Sequence, residues 1–216
     1  MLEREMIRRV EARLRAVEER TGVQVVAAAI ERADVYHGLR WRAFALMAAL
    51  GGLIVALGGP RYAGWMADAT AFFAAATVLG AGLVGALLVT LAPPIARLFL
   101  EPLRAEAEVR QRAAVIFLER ELFATRDRTA VLLLVCGFER LAVVMPDSGL
   151  RARAREEEWR AAEDTMAVHL RARRPGEGLL AGLDALEQLL AAKGFTAAGG
   201  AANELPDRPL TGKDGP

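Results

Sequence analysis

One long segment of almost uncharged sequence constrains this chain more than any other feature. Between Ala43 and Ala96 the only charged residues are Arg61 and Asp68, although 25% of the whole chain is charged. The apolar residues that give the chain its positive mean hydropathy are therefore concentrated in one segment. Such a distribution indicates insertion of that segment into a membrane, with ordinary charged globular sequence on both sides.

The uncharged segment divides into two candidate membrane helices. Residues 43–60 would form a helix of about 27 Å and residues 69–92 one of about 36 Å, against a hydrocarbon core of about 30 Å. The alternative, a buried helix pair of a water-soluble protein, is disfavoured because neither segment has a polar face. The sequence predicts a hairpin with spans at about 43–58 and 69–92.

A glycine pattern inside the second span has two interpretations. Gly80-Ala81-Gly82-Leu83-Val84-Gly85 matches the dinucleotide-binding fingerprint, but the following helix would be apolar all round and would run into Pro93-Pro94. A fingerprint helix needs a polar face, so the pattern favours close helix packing instead. We expect Ala81 and Gly85, or Ala48 and Gly52, to let the two helices approach closely.

Arginines flank the hairpin on both sides and indicate its orientation. They are Arg32, Arg40 and Arg42 before it, and Arg97, Arg104, Arg110 and Arg112 after it. In the linking loop, Arg61 is balanced by Asp68. The positive-inside rule therefore predicts that both termini and the globular part are cytoplasmic. The preference for Arg and Ala indicates a GC-rich bacterial genome, and hence a bacterial plasma membrane.

Three apolar segments outside the hairpin have the composition of strands. Residues 23–30 precede the hairpin, and residues 130–135 and 141–145 follow it with the pattern of an antiparallel pair. A lone strand cannot form a stable sheet, so the first must join the other two. We therefore predict one domain built from residues 1–42 and 97–196, interrupted by a hairpin at 43–96. Residues 197–216 are small, polar and Pro-rich, which predicts a flexible tail.

The order of these elements and several short motifs resemble the TPM domain family. The order is helix, buried strand, inserted hairpin, helix and strand pair. The most specific motifs are Arg128-Thr129, Glu139-Arg140, Asp147-x-Gly149 and the Asn203-Glu204-Leu205-Pro206-Asp207 segment. The match is closest to bacterial membrane proteins in which a hairpin splits the domain.

The resemblance implies a fold and two alternative functions. The expected fold is an α/β sandwich, with a small mixed sheet flanked by helices and split by the transmembrane hairpin. TPM proteins assist the assembly or maintenance of membrane complexes, which implies an interaction module. Some plant members are described as acid phosphatases, which implies a metal-dependent phosphatase as the alternative.

No nucleophile has the sequence context of a catalytic residue. Cys136 ends an apolar run, which predicts a buried thiol, and it is the only cysteine. Ser148 is the only serine, and the sequence places neither His37 nor His169 as its base. These observations favour a non-enzymatic protein.

Three aspartates next to strand ends are the remaining candidates for chemistry. Asp34, Asp127 and Asp147 could together bind a divalent cation, which prefers several oxygen ligands. The alternative is that they cap turns, with Asp147 forming an Asx-turn before Gly149. Asp127 and Asp147 should share one end of the sheet, whereas Asp34 joins them only if the first two strands run antiparallel.

These observations define the expected partners. We expect the lipid bilayer and a membrane protein, or a second copy of this chain, as partners. We expect no nucleic acid, because no basic stripe with interleaved aromatic residues is present. We expect no organic cofactor, and a divalent cation only if the three aspartates converge.

Overall fold

The computed structural model of the protein describes residues 3–33, 37–62, 67–125, 127–196 and 210–211. It is a mixed α/β structure with a small sheet. The helices are α1 (Arg4–Thr21), α2 (His37–Tyr62), α3 (Ala67–Leu91), α4 (Pro93–Leu98), α5 (Pro102–Glu119), α6 (Ser148–Arg151), α7 (Glu156–Arg171) and α8 (Pro175–Ala192). The strands are β1 (Gln24–Ile30), β2 (Ala130–Cys136), β3 (Leu141–Pro146) and β4 (Leu210–Thr211). A short 3-10 helix covers Leu122–Ala124.

The sheet has the strand order β3-β2-β1-β4. β1 and β2 run parallel over their full length, from Gln24 beside Ala130 to Ile30 beside Cys136. β2 and β3 form the expected antiparallel pair. β4 adds two residues in parallel to the outer edge of β1. The predicted pairing of the strand before the hairpin with the strands after it is therefore confirmed.

Each face of the sheet contributes to its own hydrophobic cluster. One cluster combines alternate residues of the strands with α1, α7 and α8, including Leu14, Trp159 and Leu183. The other combines the remaining strand residues with α5 and Leu122. β2 is buried throughout, because its side chains enter both clusters. A strand covered on both faces reads as a continuous apolar run, which is how β2 looks in the sequence.

The chain separates into two compact units. One consists of Met1–Asp34 together with Leu103–Pro216, and contains the sheet. The other is Val35–Pro102 and contains the apolar helices α2 and α3.

Two helices end next to residues with positive φ angles. α1 ends before Gly22, which adopts φ 69° and donates its N–H to the Glu18 carbonyl at 2.8 Å. α5 ends at Glu119, and Glu121 has φ 50°. The left-handed conformation of a non-glycine residue interrupts the helix there.

Candidate functional site

The first candidate surface is the apolar exterior of α2 and α3. Both helices are long and apolar enough to cross a membrane, with mean hydropathy of 1.7 over Gly38–Gly58 and 2.2 over Ala71–Leu91. Of the 18 most apolar consecutive residues of each helix, only 11% in α2 and 17% in α3 are buried within the protein. A core helix of a soluble protein would be mostly buried, so these helices present their apolar side chains outward. The largest exposed ones include Ile54, Leu57, Phe72, Leu83 and Leu91.

Two threonine hydroxyls of α3 are satisfied inside their own helix. The Thr77 hydroxyl donates to the Phe73 carbonyl at 2.7 Å, and the Thr90 hydroxyl donates to the Ala86 carbonyl at 2.8 Å. A hydroxyl in an apolar environment needs such a partner, since no water is available to it. Both threonines are therefore compatible with a hydrocarbon surrounding.

α2 and α3 pack closely at their glycines. A Cβ added at Gly85 would lie 2.8 Å from the Ala43 carbonyl oxygen, and one at Gly82 would lie 2.6 Å from the Phe44 ring. The predicted role of Gly85 in close packing is confirmed. Gly52, predicted alongside it, makes only an ordinary contact, with Val78 at 3.8 Å from the added Cβ. Its neighbour Gly51 takes that role, against Ala81.

An aromatic residue marks one end of the first apolar helix. Trp41 is 72% exposed and packs edge-on against Phe44, with ring centroids 6.0 Å apart. An exposed tryptophan at a helix end suits the headgroup level of a bilayer. Tyr62 and Trp65 flank the linking loop in the sequence, and the same preference predicts that they lie at the opposite headgroup level. Trp65 and the side chain of Tyr62 lie outside the described residues.

The second candidate surface is an open pocket of about 440 Å³ beside the end of β3. Its lining combines apolar side chains with one acid and one base: Phe117, Met145, Pro146, Asp147, Ser148, Arg151 and Ala152. An open pocket that mixes apolar and charged groups can receive a side chain of a partner protein as well as a small molecule.

Asp147 is the acid of this pocket and is fixed by its neighbours. It is buried, and its Oδ1 accepts a hydrogen bond from the Ser148 N–H at 2.6 Å. Its Oδ2 lies 3.4 Å from Nε of Arg128. The carboxylate therefore caps α6, which is the turn-capping role that the sequence analysis gave as the alternative to cation binding.

The loop before β2 packs against the turn that contains Asp147 and Gly149. Arg128 has φ 55°, and its guanidinium donates a hydrogen bond to the Phe123 carbonyl at 2.8 Å. Its main-chain carbonyl accepts one from the Gly149 N–H at 3.0 Å. A Cβ added at Gly149 would lie 2.5 Å from the Asp127 carbonyl oxygen. Only glycine fits this approach, which gives a physical reason for the Asp147-x-Gly149 motif.

The three candidate aspartates have different surroundings. The main chain of Asp127 is brought beside Gly149, but the residue is exposed, whereas Asp147 is buried. Asp34 lies outside the described residues; the antiparallel β1–β2 pair that would bring it to the other two is not formed, because β1 and β2 are parallel. Within the described part of the chain, no group of three or more His, Cys, Asp or Glu side chains could hold a metal ion.

Cys136 is buried at the end of β2, as the apolar run predicted. Burial raises the pKa of its thiol far above the ordinary value, and the nearby Glu139 carboxylate raises it further. The thiolate is the reactive form of cysteine, so this thiol is inert at neutral pH.

Sequence reasoning missed part of the pocket. Arg128 was noted only as part of a motif, and its role in holding Asp147 depends on a left-handed backbone that arginine rarely adopts. Arg151 and Phe117 were not identified, because they come from different elements that meet only in the folded chain. The short spacing between Asp147 and Arg151, one turn of helix, is the only local signal.

Comparisons with known proteins address the fold and not the function. No family model matches the chain, and no curated protein matches it. A solved NMR structure, that of the BA42 protein from the psychrophilic bacterium Bizionia argentinensis, is similar with a TM-score of 0.59. The match covers 98% of this chain and 96% of that one, at 13% sequence identity. At this identity the likeness concerns the fold alone.

Proposed function

We propose that this protein is anchored in a bilayer by the α2/α3 hairpin, which splits an α/β sandwich formed by the remaining elements. The outward-facing apolar side chains of both helices carry this proposal, because water would not tolerate so large an apolar surface. The hydroxyl bonds of Thr77 and Thr90 support it, since lipid offers no hydrogen bonds.

The proposed orientation has both termini and the sheet-containing unit on the cytoplasmic side of a bacterial plasma membrane. It follows from the excess of arginine on the two flanks of the hairpin. A reporter active only in the cytoplasm, fused to either terminus, should be active. A reporter active only outside, inserted in residues 59–66, should also be active. External activity at a terminus would reverse the orientation.

The proposed role is that of an interaction module that assists assembly or maintenance of a membrane protein complex. The resemblance to the TPM family suggests this role. The pocket beside β3 supports it, because Phe117, Met145 and Pro146 offer an apolar lining that could receive a partner side chain. The buried thiol of Cys136 offers no competing nucleophile.

Co-purification from mild detergent tests this role. The chain should retain a stoichiometric membrane protein, either a different one or a second copy of itself. Ala152→Arg, which places a long cation at the exposed rim of the pocket, should release that partner. Ala172→Arg, at another exposed position at the end of α7, should retain it. If both variants retained the partner, the pocket would not be its binding site.

The alternative function is that of a metal-dependent phosphatase, and an activity assay tests it. The assay is phosphate release from a generic ester with magnesium, manganese or calcium. The variant is Asp127→Asn combined with Asp147→Asn, checked for folding by its thermal midpoint. Metal-dependent turnover by the wild type that the folded double variant lacks would establish the phosphatase. The module predicts no such turnover.

A further inference from the structure

Helix glutamates cover part of both edges of the sheet. On the β3 edge, Glu163 of α7 accepts a hydrogen bond from the Val144 N–H at 3.0 Å. On the β1 edge, Glu18 of α1 accepts one from the Val25 N–H at 2.8 Å. A side chain that occupies an outward main-chain group prevents another strand from pairing there. The glutamate on β1 covers only the beginning of that strand.

The rest of the β1 edge faces β4. Main-chain groups of consecutive strand residues point to opposite edges, and the Val25 N–H points outward, so those of Ala27 and Ala29 also point outward. The main chain of β4 pairs with Ala28 and Ala29. Ala27 and Ala28 are completely buried. Buried main-chain groups need partners, and at this edge the described partner is a strand from the far end of the chain.

We propose that the outer edge of β1 at Ala27–Ala29 is a strand-addition site, which the chain's own C-terminal segment at Leu210–Thr211 fills and closes. Among the described residues the pairing involves two residues of β4, so few described hydrogen bonds hold it. Covalent attachment compensates by giving the segment a high effective concentration at the edge. The segment is a plug that an extended segment of a partner can displace by the same main-chain pairing.

The three consecutive alanines provide an internal control for testing the plug. The full chain in detergent is labelled with ¹⁵N-alanine, and the hydrogen exchange of single amides is followed by NMR. By the same alternation, one of the two main-chain N–H groups of β4 faces β1, and Leu210→Pro combined with Thr211→Pro removes it. The amide of Ala29, which faces β4, should then exchange at least tenfold faster, whereas that of Ala28, which points towards β2, should be unchanged.

A matched variant separates main-chain pairing from side-chain packing. Leu210→Ala combined with Thr211→Ala keeps both N–H groups, so exchange at Ala29 should stay within about threefold of the wild type. Equal acceleration of all three alanine amides in the proline variant would overturn the proposal, because the segment would then support the whole sheet. No acceleration would overturn it as well.

A peptide supplied in trans tests the site itself. A synthetic peptide of residues 203–216 should bind the proline variant and restore slow exchange at Ala29. Its affinity for the wild-type chain should be at least tenfold lower, because the edge is already filled. A peptide with both prolines should not bind either chain. Equal binding to both chains, or protection in the wild type that depends on protein concentration, would overturn the intramolecular plug; the latter would assign the edge to a second copy.

Discussion

Glu163 is a residue at which burial and hydrogen bonding act in opposite directions. Its side chain is 13% exposed, accepts the Val144 N–H, and lies 3.3 Å from Arg110. Burial raises the pKa of its carboxyl above the ordinary 4.5, and the hydrogen bond and the arginine offset this only in part. The charged form is therefore disfavoured in the folded protein relative to the unfolded chain.

The raised pKa of Glu163 predicts a pH-dependent stability. Its contribution is fully present below pH 4.5 and is lost as the pH rises through the raised folded value, because the folded protein binds the proton more tightly. Glu163→Gln keeps an acceptor for Val144 without a charge, so it should remove this loss. Thermal midpoints from pH 4 to pH 7 should fall less in the variant than in the wild type; an identical slope would contradict the assignment.

Glu163→Ala separates the hydrogen bond from the charge. It leaves the Val144 N–H without its side-chain acceptor, which should lower the free energy of unfolding by about 1–3 kcal/mol. Chemical denaturation in detergent measures this loss, with Glu163→Gln as the matched control. Equal stabilities of the two variants at neutral pH would show that the hydrogen bond contributes little.

Gly149 tests the closure of the loop beside the pocket. Gly149→Ala would bring a Cβ within 2.5 Å of the Asp127 carbonyl oxygen, so the main chain of that loop must move. Overpacking of this kind costs about 1–3 kcal/mol of unfolding free energy. Gly137→Ala is the control, since its nearest neighbour is 3.8 Å away. A Gly149→Ala protein as stable as the control would mean that the loop is not held in place.

Sequence patterns predicted which residues are buried, but they did not predict the backbone conformation of the turns. Val10, Leu14 and Val17 recur at helical spacing in the sequence, which predicts one apolar face, and all three are buried on α1. The positive φ angles of Arg128 and Arg140 had no such signal. Tertiary contacts stabilise these conformations against the preference of the residue type.

At the scale of elements, apolar runs located the three long strands but not the direction of the first. β1 is parallel to β2, and the chain between them contains α2 to α5. Parallel neighbours need a long crossover, which the inserted hairpin helps to provide. Two apolar strands that are far apart in the sequence can pair in parallel or antiparallel with the same residues buried. The apolar pattern therefore could not predict the direction of β1 relative to β2.

The contact between α2 and α3 gives a prediction for the hairpin. Gly85→Val would place its side chain against the Ala43 carbonyl oxygen and Met47, so it should separate the two helices and lower the thermal midpoint in detergent by several degrees. Gly80→Val is the matched control on the same helix, because an added Cβ there has no neighbour within 4 Å. Equal midpoints of the two variants would contradict the close packing at Gly85.

At the scale of the whole molecule, the chain combines two kinds of surface. The sheet-containing unit has a well-defined core and a surface with many ion pairs, such as that between Lys193 and Glu158 at 2.8 Å. The unit Val35–Pro102 has its large apolar side chains outward. Hydropathy alone predicted this difference, since it is a property of composition. The pocket could not be predicted, since it depends on how separate elements meet.

Extraction of isolated membranes at alkaline pH tests the anchor most directly. Sodium carbonate at about pH 11 disrupts electrostatic contacts but leaves spanning helices in the bilayer, where their apolar surface is buried. The full chain should stay in the membrane pellet. A variant in which a Gly/Ser linker replaces residues 43–92 should be recovered in the supernatant. Release of the full chain into the supernatant would contradict the membrane anchor.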